Sequence, residues 1–441
     1  MAIGSSFTST NMREVLRQVF SDILAQIAIP RVFSRKIEYS RGTLRVEGDL
    51  YDLNAYGRVL VIAIGKAAHT MLESLMAQTG PILEGIVACS HPPQVQQPGF
   101  RYFLGGHPLP NAESVRAAKA ILKYLSGLNE HTLVMYLISG GGSAIVESFQ
   151  EEETSLDDLI ATYRVLVHSG ATIAEINTIR KHLSAVKGGR LAQRAYPARQ
   201  VSIMVSDVPE NSLDALASGP TMPDSSTQAD CYRIAQTYGM VAQFSEGVRA
   251  LFDERALEET PKRDDPVFAH SRWWPVLSSA SAAEAAAGLL AQHGFAVELD
   301  NTVDDWPYDR AADYLLKRVR ELRVGVSRVA LISVGEITVK VPEKGGSGGR
   351  NQHFVLHCSQ QIVGENVALL SAGTDGIDGN SPAAGAAADG TTVGRAQALG
   401  VNLRHASENF DSFPVFEKLG DAIVTGPTGN NVRDLRIILA Y

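Results

Sequence analysis

The chain has 441 residues, more than one hydrophobic core ordinarily holds, so two domains are expected and three are possible. Apolar residues make up 45% and charged residues 20%, a globular balance able to bury a large core. The net charge of -8, with no compensating basic stretch, argues against a nucleic-acid or anionic-membrane partner but leaves room for a basic pocket that takes a small anion.

Met12, Val15, Leu16, Val19, Phe20, Ile23, Leu24 and Ile27 recur at helical spacing, with Asn11 and Glu14 in capping-box positions and Pro30 as the expected stop. The stretch before this helix lacks a cationic leader. No run reaches the length of a membrane span, so a cytoplasmic protein is expected. An irregular, partly stranded segment runs to Gly57. Val59–Ile64 is a continuous apolar run, as in a strand buried on both faces, and ends at Gly65-Lys66 before a helix from Ala67 to Met76. A short strand at Ile86–Ala88 and a helix capped by Asn111 follow. Leu133–Ile138 is a strand ending at Ser139-Gly140-Gly141-Gly142-Ser143. Thr172–Leu183 is helical, and Val201–Val205 is a strand ending at Ser206-Asp207. The charged segment Phe252–Phe268, with Pro261 and Pro266, marks the expected boundary between domains 1–255 and 256–441.

Beyond it, Pro275–Ser278, Ala296–Leu299, Arg328–Val334 and Thr338–Val341 read as strands and Ala282–His293 as a helix. Gly345–Gly349 is a flexible loop. Val367–Ser371 leads into Gly373-Thr374-Asp375-Gly376-Ile377-Asp378-Gly379, and Ala422–Val424 and Arg436–Leu439 finish the chain as strands. Alternating strands and helices favour mostly parallel sheets covered on both faces. Cys89, Cys231 and Cys358 are far apart and fit no metal or disulfide spacing, which points to buried free thiols.

In such sheets ligands bind beyond the carboxyl ends of strands, where this sequence places glycine, hydroxyl and carboxylate residues. Glycines at Ser139–Ser143 let backbone approach an anion; the other reading is a tight strand-to-helix turn. Lys66 can ground a phosphate or stand solvated at a strand end. Arg180, Lys181, His182, Lys187 and Arg190 either clamp anionic groups or form a solvated helix face. Asp207 can hold Mg²⁺ or orient a hydroxyl, or simply cap a turn. Glu336, Arg350, Asn351 and Gln352 form a polar group around the glycine loop, with Arg350 suited to bidentate binding. Thr374, Asp375 and Asp378 crowd one strand end, compatible with a hard cation or a hydroxyl. There is no P-loop, kinase H-R-D/D-F-G pair or dinucleotide fingerprint. His353 and His357 lack the further ligands a zinc site needs.

Taken in order, Ala63-Ile64-Gly65-Lys66-Ala67-Ala68, His107-Pro108-Leu109-Pro110, Ser139–Ala144, Arg180–Ala192, Ser206–Pro209, Ala217–Thr221, Gly349–Gln352, Gly373–Gly379 and Thr425–Val432 resemble the glycerate 2-kinase family, whose members carry a MOFRL domain and have often been labelled hydroxypyruvate reductases. The resemblance spans nearly the whole chain. It implies ATP- and Mg²⁺-dependent phosphorylation of D-glycerate at the 2-hydroxyl. It also implies an α/β fold with a Rossmann-like N-terminal domain on a parallel sheet, a C-terminal α/β domain on a mixed sheet, and an active site in the interdomain cleft. Lys66 and Arg350 lie in motifs associated with the family's active site.

On that basis Lys66, Arg350 and Asp207 are the expected catalytic residues. Ser139, Gly140, Gly141, Gly142, Ser143, Arg180, Lys187, Glu336, Asn351 and Thr374 are the expected binding residues, and Asp375 and Asp378 the candidate Mg²⁺ ligands. A monomer or homo-oligomer fits equally. The alternatives are an NAD(P)-dependent hydroxypyruvate reductase, weakened by the missing fingerprint, and a non-catalytic binding relative. The chain departs from the family at His353, where Glu is usual after Arg-Asn-Gln, at Glu210 in place of Gly, and at Asn430 where Thr is common.

Overall fold

The computed structural model describes residues 12–151 and 154–441. Asn11, expected to cap the first helix, lies outside them. That helix, Met12–Gln26, buries Met12, Leu16, Val19, Phe20 and Ile23. Pro30 does not end it. Pro30 instead stands in the first turn of a second helix, Ile29–Lys36, where a missing N–H leaves no intrahelical bond unmade.

Contacts divide the described residues into two units, Val32–Val276 and the described residues up to Arg31 together with Leu277–Tyr441. The first helix therefore belongs with the C-terminal residues, and its Arg13 explains why: Nε lies 2.9 Å from Asp389 and Nη1 2.8 Å from Asp421. The charged segment expected as a boundary at 255/256 is packed into the 32–276 unit. Leu257 joins an apolar cluster with Leu159, Leu166, Ile179 and Phe252, and Pro261 O accepts Asp224 N at 3.0 Å.

In the 32–276 unit a small antiparallel sheet comes first: β1 (Ile37–Ser40), β2 (Thr43–Val46) and β3 (Asp49–Asp52). The main sheet uses β4 (Arg58–Ile64), β5 (Glu84–Cys89), β6 (Phe100–Leu104), β7 (Thr132–Ser139), β8 (Arg199–Val205) and β9 (Ser271–Leu277), in the order β6-β5-β4-β7-β8-β9. Its β6-to-β8 pairings are all parallel. Every residue of β7 is buried, the reason its sequence reads as one apolar run. Pro275 lies in β9, at the sheet edge, where it removes no central ladder bond. Order reverses beside β4 and β7, which places the loops after these two strands at the switch point of the sheet.

The other unit holds β10 (Ala296–Leu299), β11 (Val329–Val334), β12 (Val367–Gly373), β13 (Gly385–Asp389), β14 (Ala422–Ile423) and β15 (Asp434–Ala440), ordered β10-β11-β15-β12-β13-β14. Only β10 and β11 pair in parallel; β15 runs antiparallel to both β11 and β12. The parallel sheet expected from strand–helix alternation thus holds for the first unit, while this one is mixed, as the family resemblance implied. Residues 338–341 make no strand, since only Thr338 forms a bridge, with Pro307. β13 is an alanine run of low strand propensity. It pairs because small side chains fit a fully buried strand, and a methyl on Gly385 would overlap the Ser371 carbonyl. No helix among the described residues is long and apolar enough to cross a membrane. All three cysteines are buried free thiols.

Candidate active site

In the 32–276 unit the ends of β4 and β7 are knitted together. Gly65 takes a left-handed φ of 121°. Lys66 N then reaches Gly140 O at 2.9 Å, and Ala67 N donates to Ser139 Oγ at 3.0 Å. Ser139 is buried and serves this tie rather than facing a ligand. Gly141 has φ 82° and opens a single helical turn, Gly142–Ile145. The three glycines matter because of what covers them. A methyl on Gly140 would overlap the Asp207 carboxylate, and one on Gly141 would stand 3.0 Å from Lys66 Cγ and 3.1 Å from His107 Cδ2. Lys66, His107 and Asp207 therefore converge on a bare strip of backbone. Lys66 is exposed. Burial, then the Lys66 charge, pushes the His107 imidazole below its ordinary range, so it is neutral near pH 7. Ser143 Oγ pairs with Ser218 Oγ at 2.8 Å. Ala217 and Ser218 carry left-handed φ values of 50° and 59°, strain held where the loops meet.

Lys187, expected to bind a ligand, is fully buried and ion-paired with the buried Glu147. Burial pushes its ammonium down and Glu147 opposes that shift. Glu147 also accepts from the Tyr163 hydroxyl and from Ser184 Oγ at 2.6 Å. Lys181 is likewise committed, to Asp214 at 2.8 Å and Asp224 at 3.1 Å, and His182 Nε2 lies 2.9 Å from Glu259. Of the basic segment, Arg180 stands apart. Its guanidinium lies 4.3 Å over the Tyr163 ring, and it has no hydrogen-bond or ion-pair partner among the described residues.

In the other unit Arg350 begins the helix Arg350–Gln361. Its Nε binds Asp434 Oδ2 at 2.6 Å, and Nη2 lies 3.2 Å from Asp434 Oδ1 and 2.8 Å from Glu336 Oε1. Burial opposes the Arg350 charge, but the two carboxylates outweigh it and hold the group protonated. Burial raises Glu336. Beside them Arg433 forks onto Asp304 with both bonds at 2.6 Å, Asp304 Oδ1 accepts Glu336 N at 2.9 Å, and the fully buried Arg436 donates to Gly335 O at 2.9 Å. Sequence reading missed Asp304, Arg433, Asp434 and Arg436. The available signal was a charge inside an apolar strand, as at Arg436.

The loop after β12 spends most of its polar side chains on the fold itself. Thr374 is buried; its Oγ1 donates to Arg433 O at 2.7 Å and accepts Val432 N at 2.9 Å, so it staples two loops. Asp378 is a helix cap rather than an open metal ligand. It is buried, and its oxygens accept Asn351 N at 3.0 Å, Gln352 N at 2.8 Å and Gln352 Nε2 at 3.0 Å. Burial nonetheless pushes it up to about 6. Asn351 is buried with Asp378 and accepts Ser371 Oγ at 2.6 Å. Asp375 turns its Oδ1 back onto Ile377 N at 3.0 Å. No group of three or more His, Cys, Asp or Glu among the described residues could cage a metal. Arg350, His353, Asp375, Asp378 and the glycines 345–349 do line one cavity of about 590 Å³.

A family model described as "Domain of unknown function (DUF4147)" matches residues 15–253, and the MOFRL family model matches residues 329–434. The chain is 37% identical to the D-glycerate 2-kinase of Thermotoga maritima, over 86% of this chain and 90% of that protein. It is 33% identical to the glycerate 2-kinase of Pyrococcus horikoshii, over 97% of each. The crystal structure of a glycerate kinase from Thermotoga maritima superposes with a TM-score of 0.85 at 32% identity, covering 98% of this chain and all of that one. The chain belongs to the MOFRL-domain glycerate 2-kinase family.

Proposed function

We propose that this protein is a cytoplasmic kinase that transfers the γ-phosphoryl group of ATP to the 2-hydroxyl of D-glycerate, giving 2-phospho-D-glycerate and ADP. One observation carries the site assignment: Lys66, His107 and Asp207 meet over the bare glycines at the switch point of a parallel sheet. Phosphoryl transfer needs positioning and charge neutralisation more than covalent help, and this arrangement offers both.

Lys66 neutralises charge on the phosphoryl oxygens, and Gly140–Gly142 let them approach the backbone. Ser143 adds a hydroxyl at the loop's end. Asp207 takes the proton as the 2-hydroxyl oxygen bonds phosphorus and the bond to the ADP oxygen breaks. Arg180 binds a carboxylate or phosphate. Mg²⁺ would need only one or two carboxylates beside the nucleotide's own phosphates, and Asp375 is the candidate ligand. When bound it supplies neutralisation of the phosphate charge. Arg350 is gripped by the buried Asp434, and only its contact with the half-exposed Glu336 can give way to a ligand anion.

Incubation with ATP, Mg²⁺ and D-glycerate, followed by phosphorus NMR, tests the reading. It predicts 2-phosphoglycerate and ADP in equal amounts. Lys66→Ala lowers the rate on the order of a hundredfold or more while the fold persists. NADH oxidation with hydroxypyruvate and no phosphorylated product would replace the kinase with a reductase. Tight ligand binding without turnover would make it a binding protein.

A further inference from the structure

We propose that Tyr163 is a positioning residue that holds Arg180 ready for an anionic group of the substrates. This rests on the kinase reading above and deepens it. Among the basic residues of its segment, Lys181, His182 and Lys187 each face a carboxylate, whereas Arg180 has only the Tyr163 ring beneath it, at 4.3 Å. Its Nε is buried and unpartnered among the described residues. A carboxylate under Arg180 would cancel its charge. A ring face orients the planar guanidinium and leaves the charge for a ligand.

The ring itself cannot swing away. Tyr163 is buried, its hydroxyl donates to Glu147, and Lys187 Nζ donates to the same hydroxyl at 3.2 Å. Glu147 is fixed in turn by Ser184 Oγ at 2.6 Å and by Ser148 N at 2.9 Å. The Tyr163 hydroxyl also lies 3.4 Å from Ser143 O, at the end of the glycine loop. One buried network thus sets the ring under Arg180 and touches the loop that faces Lys66. The anion is either the glycerate carboxylate or a nucleotide phosphate, which share the chemistry Arg180 recognises.

Steady-state constants for both substrates, measured on the full chain, separate the possibilities. Arg180→Ala raises KM about tenfold for one substrate, D-glycerate or ATP, and that substrate identifies the anion. Tyr163→Leu raises the same KM about as much with kcat nearly unchanged, and adds nothing to Arg180→Ala in the double variant. Tyr163→Phe, which keeps the ring but loses the hydroxyl's bonds, raises KM clearly less than Tyr163→Leu does. Arg180→Lys recovers only part of the loss, and this arm stands even if Tyr163→Leu does not fold. An unchanged KM in Tyr163→Leu beside a raised one in Arg180→Ala overturns the positioning role alone, as does full recovery by Arg180→Lys or a Tyr163→Phe defect equal to that of Tyr163→Leu. Unchanged constants for both substrates in Arg180→Ala overturn the anion-binding assignment itself.

Discussion

Arg350 is bound by Asp434 through a fork, Nε to Oδ2 at 2.6 Å and Nη2 to Oδ1 at 3.2 Å, and Glu336 closes on the same Nη2 at 2.8 Å. The arginine is therefore held before any ligand arrives. Asp434→Asn keeps the shape but removes the charge that orients the guanidinium. Expected are a loss of about 1.5–3 kcal/mol in urea unfolding, typical of a charge-assisted bond, and a fall in kcat/KM of at least tenfold. Unchanged kinetics with reduced stability would make Asp434 purely structural.

Gly140 owes its identity to Asp207. A methyl there would overlap the carboxylate, so Gly140→Ala must push Asp207 aside. Misplacing a catalytic group by about 1 Å costs on the order of a hundredfold in rate. Stability should change far less, because the substitution meets one flexible side chain. Gly48→Ala is the control, a glycine that like Gly140 lacks a left-handed φ but has nothing nearby to collide with. It should keep both its stability and its activity. Equal rates for Gly140→Ala and wild type would remove Asp207 from the scheme.

The placement of these loops at strand ends was legible in the sequence because two rules coincide there. A strand buried on both faces reads as an unbroken apolar run, as β4 and β7 do, and its end is punctuated by glycine or by a hydroxyl residue. That located Lys66, the glycine loop and Asp207. What spacing could not show was which polar residues are already spent. Lys187 and Arg180 stand seven positions apart in one basic stretch and look alike, yet one faces a buried glutamate contributed from position 147 and the other an aromatic ring from position 163. Thr374 and Asp378 were similarly absorbed by partners distant in sequence, Arg433 in one case and the helix beginning at Arg350 in the other. The placement of the first helix failed for the same reason. Its apolar stripe was plain, but Asp389 and Asp421, which receive Arg13, lie far along the chain.

The Lys187–Glu147 pair gives a stability test independent of catalysis. Both side chains are fully buried. Removing one partner leaves the other charge uncompensated, so Lys187→Met should cost about 3–5 kcal/mol in chemical denaturation. Glu147→Gln should cost about as much, because it leaves the Lys187 ammonium buried beside a neutral amide even though Ser184 and Ser148 can still bond the amide oxygen. The double variant should regain much of the Lys187→Met loss, since no buried charge remains. A double variant as weak as the sum of its parts would mean the pair is held by packing rather than by charge.

His353 provides the pH test. Its ring stacks on Phe410 at 4.0 Å and meets Tyr308 edge-on at 4.5 Å, and neither nitrogen has a partner among the described residues. Burial first, then the neighbouring His357, pushes its pKa down to about 4. The native imidazole is therefore neutral, whereas in the unfolded chain it takes up a proton near pH 6.5. The unfolded state binds more protons between those values, so this residue costs nothing above about pH 6.5 and progressively destabilises the fold as pH falls toward 4. The loss should reach about 2–3 kcal/mol. His353→Phe keeps the stacking and removes the titration. Its unfolding free energy should match or exceed that of wild type at pH 7.5, and the gap should widen in its favour on acidification to pH 4.5. A gap that stays constant with pH would show that the folded imidazole titrates like a solvated one. His353→Glu, which restores the residue usual in the family, places a carboxylate between Phe410 and Tyr308. It should be less stable than His353→Phe at pH 7.5 and recover as the carboxylate is protonated on acidification, the opposite pH trend to wild type.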